Sequence, residues 1–325
     1  MIDILPAAGA VIIGFMVLVW SADKFVLGAA NTARLFGLPP IIVGVVIVGI
    51  GTSAPEMLVS AIASIEGKTG LSIGNAIGSN ITNIGLILGM TALCYPLVIH
   101  SRFVRREIPM LLAVMALSLW FLGDGYLGFF EGMVLLCSMF IMIAYSAWEA
   151  MRHKDDPMMQ EIEDEMPEEI GKTAALVWLV VGICLLIASS KILVWGAVDI
   201  AHFFNISDLI IGLTIIAIGT SLPELAATFA AARKQEYELA VGNVVGSNTF
   251  NILGVMGLPG IIHPAGFSPE VLTRDYPIMI ILTIVFFVFA IGLRRGIDGG
   301  ISRLQGFILL ASYLAYMVYL GFSAQ

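Results

Sequence analysis

The chain contains the same polar signature twice, each time inside an apolar run. Residues 51–56 read Gly-Thr-Ser-Ala-Pro-Glu, and residues 219–224 read Gly-Thr-Ser-Leu-Pro-Glu. A second element, Gly-Asn-x-x-Gly-Ser-Asn, begins at residue 74 and again at residue 242. Both elements recur at one offset of 168 residues, from Glu56 to Glu224 and from Ser79 to Ser247. A constant offset across both elements indicates a duplicated unit rather than two chance motifs.

Composition places both units in a membrane. The 325 residues are 59% hydrophobic and only 12% charged, whereas average soluble domains carry roughly 25% charged residues. Apolar runs of about 20 residues, enough to cross ~30 Å of hydrocarbon, recur along the whole chain. We predict an all-α polytopic membrane protein with about ten transmembrane helices, five in each repeat. The predicted spans are 5–31, 38–65, 70–95, 106–122, 126–149, 173–200, 207–232, 238–262, 275–293 and 303–322.

The pattern of spans divides the chain into a first repeat (1–149), a linker (150–172) and a second repeat (173–325). The net charge of −8 comes almost entirely from the linker, which is acidic. It lacks the spaced Asp or Asn residues and the Gly of an EF-hand loop. We therefore interpret the linker as a solvated connection rather than a calcium sensor.

Loop charges predict the orientation of the spans. Twelve Lys and Arg residues fall in loops on the linker side, whereas only Lys68 and Arg274 fall on the other side. Positively charged loops remain in the cytoplasm, so the linker is predicted to be cytoplasmic and both termini outside. Because each repeat has an odd number of spans, the second repeat crosses the membrane in the opposite direction. Inverted repeats of this kind typically hold a substrate near the midplane and support alternating access.

The first signature combines a helix break with oxygen-bearing side chains. Thr52 and Ser53 lie four and three residues before Glu56, so all three share one helix face. Pro55 has no N–H, and its ring clashes with the carbonyl of Gly51, which predicts a broken helix with freed carbonyl oxygens. Within a membrane such oxygens persist only where protein, water or an ion satisfies them. The equivalent residues of the second repeat are Gly219, Thr220, Ser221, Pro223 and Glu224.

The donor set favours a hard cation. A carboxylate at the bilayer centre costs ~2.5–3.5 kcal/mol on insertion scales, so two at equivalent positions predict a functional site. The helices that carry the second element add Ser79 with Asn83, and Ser247 with Asn251. Carboxylate, hydroxyl, amide and carbonyl oxygens are the ligands that Ca²⁺ and Na⁺ prefer. No His or Cys lies in either signature, which argues against a transition metal. The sequence also lacks a phosphate-binding glycine loop, which argues against ATP-driven transport.

The two signatures resemble the α-repeats of the calcium/cation antiporter superfamily, specifically its prokaryotic sodium/calcium exchangers. The resemblance covers the whole chain, including its five-plus-five layout. It implies that Glu56 and Glu224 are the main calcium ligands, together with Thr52 and Thr220. It also implies sodium sites at four serines and a main-chain carbonyl three residues before each threonine. These residues are Ser53, Ser79, Ser221 and Ser247 for sodium, and Gly49 and Ala217 for the carbonyls.

The chain departs from this family at one position. Asn251 stands where the resemblance predicts Asp, whereas Asn83 of the first repeat matches. The site therefore has one carboxylate fewer, and its two glutamates carry a charge that one Ca²⁺ neutralises. This departure leaves the coupling ion open between Na⁺ and H⁺.

The sequence therefore predicts a transporter rather than an enzyme, in the inner membrane of a prokaryote. Its expected function is Ca²⁺/Na⁺ antiport, with Ca²⁺/H⁺ antiport as the alternative. A cation channel or sensor without coupled exchange is a further alternative from a different class. We expect Ca²⁺ and Na⁺ as substrates and the lipid bilayer as surroundings. No cofactor, nucleic acid or obligate protein partner is expected.

Overall fold

The computed structural model describes residues 4–38, 43, 49–99, 102–152, 157–164, 166–291 and 299–323. Helices account for most of them. The helices of the first repeat are α1 (Ile4–Leu35), α2 (Gly49–Thr52), α3 (Ala54–Ile65), α4 (Thr69–Cys94), α5 (Arg102–Leu122) and α6 (Phe129–Arg152). The linker contains α7 (Pro157–Asp164). The helices of the second repeat are α8 (Lys172–Phe204), α9 (Asp208–Thr220), α10 (Leu222–Arg233), α11 (Tyr237–Ile262), α12 (Val271–Ile291) and α13 (Arg303–Ser323).

Seven of the described helices are long and apolar enough to cross a membrane. The pair α9 and α10, bent by 43° at Ser221, passes the same test as one broken span. The predicted all-helical membrane class is confirmed. The predicted span 38–65 lies partly outside the described residues. Helix α5 is not among the seven, since it begins with three arginines within five residues. The structure therefore supports a helical bundle without fixing the predicted count of ten spans.

Helices α4 and α11 form the centre of the bundle. Each packs against a broken helix of both repeats, α4 against α3 and α9, and α11 against α10 and α3. Their described residues are mostly buried, in contrast to those of α6 or α13. This arrangement brings the two signature elements of one repeat against those of the other.

The long helices α1 and α8 pack against each other beside this centre. They contain 32 and 33 residues, so each extends for roughly 48–50 Å, well beyond ~30 Å of hydrocarbon. Glycines allow the close approach, since a Cβ at Gly28 would lie 2.3 Å from the backbone nitrogen of Leu179. On α8, a Cβ at Gly182 would lie 2.7 Å from the Cα of Phe25. Gly182 is the second-repeat equivalent of Gly14 in α1. Small residues of this kind let membrane helices meet backbone to backbone.

Two short antiparallel strand pairs join loops of the two repeats. Strand β1 (Leu97–Ile99) pairs with β4 (Gly299–Ile301), with Val98 opposite Gly300. Strand β2 (Tyr126–Leu127) pairs with β3 (Ala265–Gly266). Because β1 follows the end of α4 and β3 follows the end of α11, the two pairs sit at equivalent positions of the inverted repeats.

The linker is not simply solvated, in contrast to the sequence interpretation. Helix α7 buries Met158, Met159 and Ile162 in the main hydrophobic cluster of the protein. Its Glu161 accepts a hydrogen bond from the backbone N–H of Leu239 at 2.7 Å. Leu239 lies in the first turn of α11, where backbone N–H groups have no partner within the helix. The acidic composition of the linker concealed this amphipathic helix.

The linker is also attached to the end of α1. Asn31 donates to the carbonyl of Glu168 at 3.0 Å and accepts from the N–H of Ile170 at 3.1 Å. Arg34 donates to the carbonyl of Pro167 at 2.8 Å. The linker therefore connects α1 of the first repeat with α11 of the second repeat on one side of the bundle.

The docking of α7 is predicted to depend on pH through Glu161. Burial raises the pKa of Glu161 from 4.5 to about 7, the Leu239 hydrogen bond opposes this shift, and the charges of Glu238 and Glu236 add to it. The docked state thus binds a proton more tightly than the released state. Docking should be strongest below pH 4.5 and weaken as pH rises to about 7, after which it should level off.

Hydrogen exchange of the Leu239 amide and thiol labelling of a Met159→Cys variant would measure this docking. Exchange and labelling should accelerate as pH rises to about 7, after correction for the intrinsic rates. Glu161→Gln should remove the pH dependence, whereas Glu169→Gln in the exposed part of the linker should retain it. Equal pH profiles for both variants would contradict the assignment to Glu161.

Candidate functional site: a buried cluster of oxygen ligands

Both Thr-Ser-x-Pro-Glu segments interrupt a helix, as the prolines predict. Helix α2 ends at Thr52 and α3 begins at Ala54, while α9 ends at Thr220 and α10 begins at Leu222. Pro55 and Pro223 stand in the first turn of α3 and α10, where a proline costs no helical hydrogen bond. Glu56 and Glu224 therefore lie in the first turn of a helix, near the partial positive charge of its N-terminus.

The central helices are locally distorted where they meet these breaks. Helix α4 changes to π-helix over Asn83–Leu88, and α11 does so over Asn251–Val255. Both π-helical segments begin at an asparagine three residues after the end of the second signature element. Such segments are rare and occur frequently at functional sites. The sequence analysis did not predict them, since neither segment contains a proline and glycines occur throughout both helices.

The serine at each helix break donates to the glutamate of the other repeat. Ser221 donates to Oε1 of Glu56 at 3.3 Å, and Ser53 donates to Oε1 of Glu224 at 3.5 Å. Ser247 of α11 also donates to Oε1 of Glu224, at 2.9 Å, and its hydroxyl lies 2.9 Å from that of Ser53. The crossed pattern shows that the two broken helices face each other.

Several oxygens in this cluster have no hydrogen-bond partner within the described part of the chain. They are Oε2 of Glu56, Oε2 of Glu224, Oδ1 of Asn83 and Oδ1 of Asn251. All four residues are fully buried. A buried oxygen without a partner is costly, so these four oxygens are candidates for binding a cation.

The remaining predicted ligands are close to this cluster in the fold. Thr220 is buried and donates to the carbonyl of Ile216 at 3.1 Å, while its equivalent Thr52 is half-buried at the end of α2. Ser79 donates to Asn75 at 3.4 Å rather than to a glutamate. The carbonyl of Ala217 accepts from the N–H of Ser221 at 3.2 Å, and Gly49 begins α2.

Asn75 is a buried residue that the sequence analysis did not select. Its amide nitrogen donates to the carbonyl of Glu56 and to the hydroxyl of Ser60, each at 3.1 Å. Its Oδ1 accepts from the hydroxyl of Thr220 at 3.2 Å. Asn75 thus connects the broken helices of both repeats. Its presence in the repeated Gly-Asn-x-x-Gly-Ser-Asn element was the signal that could have identified it.

The composition of the cluster restricts its chemistry. Among the described residues, no group of three or more His, Cys, Asp or Glu side chains is arranged to hold a metal ion. The site instead combines two carboxylates with amide and hydroxyl oxygens. Oxygen ligands of low total charge fit a hard cation that is bound reversibly, whereas zinc, copper and nickel typically take nitrogen or sulfur ligands.

Comparison with known proteins agrees with this arrangement. The family described as sodium/calcium exchanger protein matches residues 6–148 and 174–322 of the chain. CaxA of Alkalimonas amylolytica is 44% identical over 97% of this chain and 98% of its own length. The inner membrane protein YrbG of Escherichia coli is 39% identical over 97% of each chain.

Solved structures of the sodium-calcium exchanger NCX_Mj have the same fold. One of them, soaked with Na⁺ and Sr²⁺, gives a TM-score of 0.64 at 30% identity, covering 97% of this chain and 99% of NCX_Mj. The family match spans both repeats, and the similarity extends over nearly the full length of each chain. The chain therefore belongs to the sodium/calcium exchanger protein family, whose members are transporters rather than enzymes.

Proposed function

We propose that this chain is a secondary active antiporter that exchanges Ca²⁺ for Na⁺ by alternating access. In this proposal the chain crosses the inner membrane of a prokaryote ten times and forms two inverted repeats, 1–149 and 173–325. The linker 150–172 lies in the cytoplasm and both termini lie outside, in agreement with the excess of basic residues in the linker-side loops. Membership of the exchanger family supports cation antiport.

One observation carries this proposal. Buried oxygens of Glu56 and Asn83 from one repeat, and of Glu224 and Asn251 from the other, have no hydrogen-bond partner in the described structure. Two carboxylates at the junction of inverted repeats require a compensating positive charge. One Ca²⁺ supplies this positive charge in one step of the exchange, and Na⁺ ions supply it in another. The two substrates would therefore compete for overlapping ligands.

The proposed ligands form a calcium group, a sodium group and a pair of neutral amides. Glu56 and Glu224, with Thr52 and Thr220, form the calcium site, which the carbonyls of Gly49 and Ala217 complete. Ser53, Ser79, Ser221 and Ser247 hold sodium beside the carboxylates, while Asn83 and Asn251 supply neutral amide oxygens. This division follows from the resemblance and agrees with the crossed serine–glutamate contacts.

Ca²⁺/H⁺ exchange is the second candidate, and Asn251 is the observation that favours it. The residue at this position is a neutral amide rather than a third carboxylate. Both of its side-chain polar atoms are buried without a partner in the described structure. The charge of the two glutamates could be balanced by two protons as well as by one Ca²⁺. In that mechanism Glu56 and Glu224 would be protonated in the return step.

Uptake of calcium-45 into sodium-loaded proteoliposomes tests the proposal. Dilution into sodium-free buffer at clamped pH should drive uptake that requires the outward sodium gradient. Glu56→Gln and Glu224→Gln should each lower the apparent calcium affinity by at least ~100-fold, since loss of one buried charged partner costs about 3 kcal/mol. Glu131→Gln, at a half-buried glutamate in the first turn of α6, serves as the matched control.

Three other outcomes would separate the alternatives. Uptake that requires a proton gradient and ignores sodium would replace the proposal with Ca²⁺/H⁺ exchange. Flux without any counter-ion would indicate a channel, and calcium binding without flux would indicate a sensor. Wild-type uptake in both glutamate variants would contradict the proposed site itself.

Asn75 is predicted to position the calcium ligands. Asn75→Leu keeps the size of the side chain but removes the contacts to Thr220 and to the carbonyl of Glu56. The Michaelis constant for calcium should rise by ~10–100-fold, as for other residues that orient metal ligands, with a smaller change in the maximal rate. Asn243→Leu is the matched control, because the equivalent Asn243 bonds Thr228, outside the cluster, at 3.1 Å. Equal effects of the two substitutions would contradict a specific role for Asn75.

A further inference from the structure

A deep groove separates α10 from α1 and from the end of α4. Its walls are almost entirely apolar and include Val19, Met90, Leu222 and Phe229, and its volume is about 1050 Å³. Arg233 and Lys234 lie together at one end of the groove. Both are exposed. In the described part of the chain, Arg233 forms no ion pair.

The groove extends along α10 for about the thickness of one membrane leaflet. Leu222 at its inner end and Arg233 at its mouth are eleven positions apart, which corresponds to ~16 Å at 1.5 Å per residue. Half of a bilayer hydrocarbon core is ~15 Å. The groove thus extends from the end of the span on the linker side to the depth of the helix break at Ser221.

The equivalent surface of the first repeat is covered by protein. Ala54, the counterpart of Leu222, is 9% exposed, whereas Leu222 is 37% exposed. Val59 and Ile62 of α3 are buried in one hydrophobic cluster with Leu186 and Val194 of α8. Their counterparts on α10, Ala227 and Ala230, are exposed. The second-repeat helix therefore stands away from α1 where the first-repeat helix contacts α8.

We propose that this groove binds one anionic phospholipid from the leaflet on the linker side. An acyl chain occupies the apolar walls down to Leu222, and the phosphate lies at Arg233 and Lys234. Guanidinium groups match phosphate in geometry and charge, and paired basic residues at a membrane surface attract anionic lipids. A zwitterionic lipid supplies the same acyl chain but no net negative charge.

Bound lipid favours the conformation in which the groove is open. In an inverted-repeat transporter, switching access exchanges the conformations of the two repeats. The surface of α10 must then become covered by α1, as that of α3 is covered by α8 here, and the acyl chain must leave. This consequence rests on the proposed alternating access, whereas lipid binding itself does not.

Native mass spectrometry of the purified chain measures binding directly. With phosphatidylglycerol or phosphatidylcholine added separately, we expect one phosphatidylglycerol retained in preference. Arg233→Gln should reduce this retention by about fivefold, the effect of roughly 1 kcal/mol per basic residue near a membrane surface. Ala226→Phe, which fills the groove, should reduce retention of both lipids.

Matched controls lie on α13, away from the groove. Arg303→Gln removes an exposed basic residue, and Ala311→Phe enlarges an exposed alanine of a span. Both should retain phosphatidylglycerol like the unchanged protein. Equal retention of the two lipids by the unchanged protein, or equal effects of Arg233→Gln and Arg303→Gln, would overturn the proposal.

A disulfide between cysteines at Val19 and Ala226 reports closure of the groove. In a background with Cys94, Cys137 and Cys184 changed to alanine, cross-linking should be slower in phosphatidylglycerol than in phosphatidylcholine. Equal cross-linking rates would show that the lipid does not hold the groove open. Because neither measurement requires calcium transport, failure of the exchange assay would leave this test intact.

Discussion

The structure depends on two carboxylates that are fully buried in an apolar helical bundle. Glu56 and Glu224 each retain one oxygen without a partner in the described structure, while their other oxygens accept bonds from serines. Burying such charged groups at bilayer depth costs free energy. The helix breaks place both glutamates in the first turn of α3 and α10, where the partial positive charge of the helix N-terminus reduces this cost.

Contacts between the two repeats explain why their signatures must be considered together. Each glutamate accepts a hydrogen bond from the serine of the opposite broken helix, and Asn75 of the first repeat holds Thr220 of the second. Neither repeat therefore forms this cluster alone. In the proposed mechanism, groups from both repeats would surround the substrate and move around it. The close packing of α1 on α8 through glycines provides a second contact between the repeats, outside the site.

The sequence was most informative where chemistry was unusual for a membrane. The offset of 168 residues, the prolines and the buried carboxylates predicted the duplication, both helix breaks and the residues that the fold brings together. The π-helical segments at Asn83 and Asn251 were not predicted, because π-helices depend on packing rather than on any breaker residue. Helix α7 was missed because its three buried residues are dispersed among acidic ones. Asn75 was overlooked because an asparagine four residues before Ser79 does not reveal a partner 145 residues away.

Equivalent residues with different contacts show how a nearly symmetric sequence forms an asymmetric site. Ser247 donates to Glu224, but its counterpart Ser79 donates to Asn75. Thr220 is buried, whereas Thr52 is half-buried. The same difference appears outside the site, where α3 contacts α8 and α10 stands away from α1. If the two repeats adopted identical conformations, both sides of the bundle would be open or closed together. In the proposed alternating-access mechanism, such differences between equivalent contacts would allow a site built from repeated residues to face one side at a time.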